Sequence, residues 1–300
     1  KASALLPILR LKLNIYQEST IKSKMNVEKA PLATLYIVAT PIGNLDDITF
    51  RAVSVLKSVD FILAEDTRHS KKLLSHFNIS TPLRAFHDHN EREKTQSVID
   101  EINAGKSIAL ISDAGTPLIS DPGYVLVAEA KKSNCTVVPI PGPSALITAL
   151  SGAGLASDNF TFFGFLPSKQ TARVKVLQGL ISRTETSIFY ESPKRILATM
   201  TDMLSILGKN REVCLAKELT KAFETIKTGT IPSLIDYLTV DENHQKGEFV
   251  ILVSALDKTD NSEAEAELDT LLPILCAEMG ASKAAKLAAK ITGIDKKHCY

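Results

Sequence analysis

The chain has 300 residues, 44% of them apolar and 23% charged, with 35 Lys+Arg against 34 Asp+Glu. These proportions exclude a disordered chain, a collagen and a disulfide scaffold, and at ~150 residues per domain the length suggests two domains. No apolar run is long enough to span a membrane, and a net charge of +1 means that any basic surface must be local.

Residues 1–33 carry no core pattern and read as a disordered leader or an expression remnant, with Met25 fitting a native start. Leu35–Thr40 (LYIVAT) is the first apolar, β-rich run. Asp47 then opens a helix whose apolar face is Ile48, Val53, Val55, Leu56 and Val59. Strands follow at Asp60–Ala64, Leu83–Phe86, Ser107–Ser112 and Thr136–Ile140. Helices fall between them at Ser70–Phe77, at Arg92–Ala104 and from an Asp121-Pro122 start to Lys132, and another begins at Pro143. This alternation predicts an α/β first domain over 34–154 with a mainly parallel sheet.

A second α/β domain over 155–255 is expected to hold a mixed sheet. Its predicted strands are Asn159–Phe163, Thr186–Tyr190, Arg211–Lys217, Phe223–Thr228 and Glu248–Val253. Residues 254–268 are polar and read as a linker. A helical tail is expected over 262–300, overlapping the linker's end: Ala281–Ile291 is a helix, Thr292-Gly293 stops it, and Asp295 caps another. The spacing fits a helix-turn-helix and equally a small helical appendage packed for stability.

In the first domain every predicted strand runs into an unusual loop. These are Thr40-Pro41-Ile42-Gly43-Asn44, Glu65-Asp66-Thr67-Arg68, His87-Asp88-His89-Asn90, Asp113 to Gly123, and Pro139 to Ala145. Proline stiffens such a loop and glycine lets its backbone approach a ligand. One loop of this kind is ordinary turn chemistry. Five at the carboxyl ends of parallel strands predict a ligand rim, because open α/β sheets bind there.

Several other signals are rejected. Gly152-Ala-Gly154-Leu-Ala-Ser157 is one residue short of a dinucleotide fingerprint and follows a helix. Gly142-Pro-Ser144-Ala-Leu146 lacks the last glycine of a nucleophile elbow. His87 and His89 have no third cluster to complete a metal site, and no phosphate loop is present, so no metal is expected. Cys135, Cys214, Cys276 and Cys299 contain no C-x-x-C pair, which suits a reducing compartment.

The segments LYIVATPIGNLDDIT, AEDTRHS, HDHNE, SDAGTPLISDPG, PIPGPSALITALSGAGL, FFGFLP, FYESPKR and AKELTK, in this order, resemble the tetrapyrrole methylase superfamily. The similarity is greatest to its ribosomal RNA 2′-O-methylating branch. It runs from about Leu35 to Val253, and the tail resembles that branch's extension. The resemblance implies S-adenosylmethionine bound in a cleft between two α/β domains, a cytoplasmic homodimer, and the small ribosomal subunit or its RNA as partner. It implies methylation of a cytidine ribose 2′-oxygen, and no membrane role. Carried over by position, cofactor contacts fall at Pro41, Gly43, Asp113, Gly115, Thr116, Ile119, Gly142, Ser144 and Ala145, and in the second domain at Tyr190, Ala216 and Glu248. Candidate proton acceptors at strand ends are Glu65, Asp66, His87, His89, Glu218 and Glu224, among which the sequence does not choose. Arg68, Lys217 and Lys221 are candidates to hold RNA phosphates. The competing readings are a methylase of a tetrapyrrole or other small acceptor, and a non-catalytic RNA- or ligand-binding protein on the same fold.

Overall fold

The computed structural model describes residues 33–256, 262–292, 294 and 299. The expected leader, Ala33 apart, and the helix expected to start at Asp295 lie outside them. The chain divides into two compact units, one ending at Ser144 and the other beginning at Ala145.

In the first unit strands β1 (Thr34–Val38), β2 (Phe61–Ala64), β3 (Leu83–Ala85), β4 (Ile108–Ile111) and β5 (Thr136–Ile140) form one sheet in the order β3-β2-β4-β1-β5. Every pair is parallel. Helices α1 (Phe50–Ser58), α2 (Thr67–His76), α3 (Glu91–Asn103) and α4 (Tyr124–Lys132) connect them. The central strands are apolar and buried along their whole length, as a sheet covered on both faces requires. Alternate side chains serve opposite cores. Leu35 and Ile37 pack with α3 and α4 residues such as Ile99, Ile102 and Leu126, while Tyr36 and Val38 pack with Leu56 of α1 and Leu74 of α2. Pro139 is tolerated because β5 is an edge strand.

The second unit begins with α5 (Ala145–Gly152), which packs on β7 and β10 and therefore belongs here. Strands β6 (Phe160–Phe165), β7 (Thr186–Glu191), β8 (Glu212–Lys217), β9 (Thr225–Thr230) and β10 (Phe249–Val253) follow, with α6 (Gln170–Gln178), α7 (Ile196–Leu207) and α8 (Ile231–Val240) between them. The order is β6-β7-β10-β8-β9. Only β6 and β7 are parallel, so the sheet is mixed, as the strand succession predicts. Its core gathers Phe189, Met200, Met203, Leu215, Leu234 and Ile251.

Two expectations need correction at the tail and helix starts. Ser262–Met279 is a helix, α9, so only the first part of the expected linker can be one; Gly280, at φ 76, separates α9 from α10 (Ala281–Thr292). Asp47 does not open α1. It ends a short 3-10 turn capped by Asn44, and Thr49 accepts the Ala52 amide at the true helix start. No helix among the described residues is long and apolar enough to cross a membrane.

Candidate active site

Because all five strands of the first sheet are parallel, their carboxyl ends share one edge, and hydrogen bonds tie the loops there to one another. Thr40 and Gly115 exchange backbone bonds of 2.8 and 3.0 Å, joining the loops after β1 and β4. The Asp113 carboxylate accepts the Asp66 amide at 3.0 Å, joining the loops after β4 and β2. The Thr116 hydroxyl donates to the Pro143 carbonyl at 2.9 Å, joining those after β4 and β5. A Cβ on Gly142 would lie 2.9 Å from Ala39 Cβ, so the loops after β5 and β1 meet at a distance only glycine allows. The loop after β3 is tied in through Glu91. Its Oε1 accepts the amides of Gly123, Val125 and Leu126 at 3.0, 3.0 and 3.2 Å. The five loops therefore form a single braced rim.

The segment after β4 is wound tightly, with positive φ at Gly115, Leu118, Ser120 and Gly123. At Gly123 the backbone has φ 128, and a Cβ would sit 2.6 Å from Leu110 Cδ2, so any other residue there strains the backbone and pushes the Leu110 side chain aside. This winding corrects the Asp121-Pro122 helix start: α4 begins at Tyr124, and Glu91 rather than Asp121 caps it. Asp121 is left half-buried beside the Ser112 hydroxyl. Burial first, and then the Glu65 charge, push its pKa up to about 7. Burial, with Asp113 and Asp88 nearby, likewise raises Glu65. Asp121 is absent from the sequence-based candidates because Asp-Pro resembles a helix cap, and nothing local separates the two uses.

Other candidates are engaged elsewhere. Asp66 caps α2, and bonds from the Arg68 side chain and amide hold its carboxyl well below the usual carboxylate range, which makes it a weak base. The Arg68 guanidinium reaches it through Nε at 3.1 Å and a terminal nitrogen at 2.8 Å. Asn90 donates to His87 Nε2 at 3.0 Å, leaving Nδ1 buried with no partner among the described residues. The His87 and His89 rings meet edge-on with centroids 6.0 Å apart.

In the second unit Lys217 is 8% exposed and donates to the Asn243 carbonyl at 2.6 Å, so its charge is used internally and not on an outer face. Glu218 and Thr220 have left-handed backbone, at φ 52 and 66. Lys221 bridges Glu218 at 3.0 Å and Glu248 at 2.9 Å. Burial opposes ionisation of Glu218, but the Glu248 amide and Lys221 outweigh it and hold its carboxyl below the usual range. Glu224 accepts the Thr220 amide, which closes the same turn. Ala216 is buried in β8, paired with Val250 and Ile226. Tyr190 packs edge-on against Phe162 and Phe165, at 4.8 and 5.6 Å.

The sequence profile of the Tetrapyrrole (Corrin/Porphyrin) Methylases matches residues 34–235, and that of the RsmI C-terminal HTH domain matches 262–300. A protein of Vibrio cholerae called ribosomal RNA small subunit methyltransferase I is 53% identical over 89% of this chain and 92% of its own length. Its namesake in Escherichia coli O157:H7 is 48% identical over 89% and 93%. Among solved structures, diphthine synthase superposes with a TM-score of 0.57 at 13% identity, over 74% of this chain and 90% of that one. Uroporphyrin-III-C-methyltransferase from Thermus thermophilus gives 0.53 at 16%, over 74% and 94%. At such low identity these two structures speak for the fold, while the relatives near half identity speak for the lineage. The chain belongs to the tetrapyrrole (corrin/porphyrin) methylase family, among the ribosomal RNA small subunit methyltransferases I.

Proposed function

We propose that this chain methylates the ribose 2′-oxygen of a cytidine in small-subunit (16S) ribosomal RNA, using S-adenosylmethionine. The observation that carries the reading is the braced rim of five strand-end loops in a chain about half identical to proteins named for small-subunit ribosomal RNA methylation. Asp88 and Asp113 lie close enough to Glu65 and Asp121 to raise the proton affinity of those two, and such a concentration of carboxylates suits a sulfonium cation. The absence of a phosphate-binding loop fits a ligand with no phosphates. When bound, S-adenosylmethionine supplies a methyl group already activated for displacement.

The chain's own task is then alignment, which contributes ~7–11 kcal/mol in well-oriented systems. Proposed contacts are Pro41, Gly43, Asp113, Gly115, Thr116, Ile119, Gly142, Ser144 and Ala145, with Tyr190, Ala216 and Glu248 of the second unit. Removal of the 2′-hydroxyl proton adds about 10²–10⁴-fold. A carboxylate whose pKa is raised suits that role better than one whose pKa is lowered, which favours Asp121 and Glu65 over Asp66 and Glu218. His87, His89 and Glu224 remain proposed alternatives. Arg68 and Lys221 are proposed to hold phosphates, and the tail to add RNA contacts through Lys283, Lys286 and Lys290, all exposed on α10. We also propose a homodimer acting in the cytoplasm.

The test is incubation with methyl-labelled S-adenosylmethionine and isolated small ribosomal subunits, followed by nuclease digestion. Label on a cytidine ribose is expected. Label on a base, or none in RNA, overturns the proposal.

A further inference from the structure

We propose that a groove along α2, beginning at Arg68 on the rim, is a further RNA-contact site that holds a run of sugar-phosphate backbone flanking the reacting nucleotide. The groove occupies about 550 Å³ beside the edge strand β3. Arg68, Lys71 and Ser75 line it from one face of α2, Ser80 lines it from the segment before β3, and Leu74 and Ile79 contribute apolar surface. Cations, hydroxyls and a small apolar patch are the three surfaces a ribose-phosphate chain presents partners for.

The charge pattern points the same way. From Thr67 to His87 the chain has Arg68, Lys71, Lys72, Arg84 and three histidines, and not one Asp or Glu. In a chain of net charge +1 this is a local concentration of one sign along the sequence, within which Arg84 is paired with Glu101 and Arg68 with Asp66. A merely solvated helix face interleaves both signs at i, i+4 spacing. Here Arg68 and Lys72 stand four apart with like charge, which costs helix stability that a polyanion would restore. Among the described residues neither Lys71 nor Lys72 has an ion-pair partner. Arg68 is 90% exposed, and Asp66 fixes its guanidinium through two bonds, which orients the fork without burying it.

The inference rests on RNA being the substrate, and its test separates the two. In the full chain, Lys71→Ala with Lys72→Ala keeps α2 intact, since alanine is the better helix former. S-adenosylmethionine affinity by calorimetry should be unchanged. The salt slope of binding to a ribosomal RNA fragment should become shallower by about 1.4–1.8, so a fourfold rise in salt costs the variant about seven- to twelvefold less affinity than wild type. In subunit methylation KM should rise while kcat holds. A control pair, Lys131→Ala with Lys175→Ala, removes two exposed lysines from other elements and should leave the slope near wild type. Equal slopes for wild type and the α2 variant overturn the groove, as does an equal loss in the control pair. Competition by polyglutamate as effective as by RNA would assign the groove to an acidic protein surface and also overturn it. A wild-type chain that fails to label subunits sinks the functional reading, while the groove is still judged by the slopes.

Discussion

Asp121 is where the rim's stability and its chemistry oppose each other. Its carboxyl has a folded-state pKa of about 7 against an ordinary 3.8, because burial and the Glu65 charge disfavour its ionised form. The folded chain therefore binds a proton there that the unfolded chain has already released. Ionisation penalises folding fully above pH 7, and the penalty vanishes below about 4. Asp121→Asn keeps the shape and removes the charge. At pH 8 thermal unfolding should show it more stable than wild type by about 1–2 kcal/mol, after discounting the shift for the water that still reaches the group. The gap should close as the pH falls towards 4. If Asp121 accepts the substrate proton, methylation should fall by about 10²–10⁴-fold in the same variant. A variant less stable than wild type at pH 8 would show that the carboxylate is not under strain. The sequence places Asp121 on the rim but does not reveal its burial, because that depends on Glu65 arriving from the end of β2 and on the loop folding Asp121 back beside Ser112 at the end of β4.

At the scale of elements, Glu91 illustrates why the strands and their parallel sheet are easier to read than helix ends. Apolar runs and their alternation with helices determine a parallel sheet and hence a shared loop edge, and the five loops do meet there. Caps are legible only when they are local. Asp66 before α2 is adjacent in sequence, whereas the cap of α4 comes from Glu91, 34 positions before Val125. The tail misreading has the same physical origin. The start of α9 is polar and looks like linker, and among the described residues Leu268 of this helix packs in a small cluster with Ala285 and Ala288 of α10, distant in sequence. Since one buried carboxylate oxygen serves three amides, Glu91→Ala should lower stability by about 2–3 kcal/mol in urea unfolding. Glu91→Gln retains an acceptor and should recover most of that loss. Equal costs for the two variants would mean that the side chain acts by packing rather than by capping.

At the scale of the whole molecule, the core clusters of the described residues share no member. The first sheet has a core on each face, the second unit has its own, and α9 with α10 closes a small core among Leu268, Ala285, Ala288 and Ile294. The rim bonds described above lie within the first unit. The tail closes its own cluster, which shares no residue with the three larger ones, so its removal should leave those packed. It carries Lys283, Lys286 and Lys290 on an α10 that has no acidic residue, a composition suited to phosphates and not to a sulfonium. A chain ending at residue 255 should bind S-adenosylmethionine as the full chain does by calorimetry. Its KM for small subunits should rise by about tenfold or more at physiological salt, the difference shrinking as salt is lowered and the remaining basic surfaces hold RNA more tightly. Equal methylation by the shortened chain would remove the tail from substrate binding, and a loss of S-adenosylmethionine affinity would show that the tail supports the catalytic units themselves.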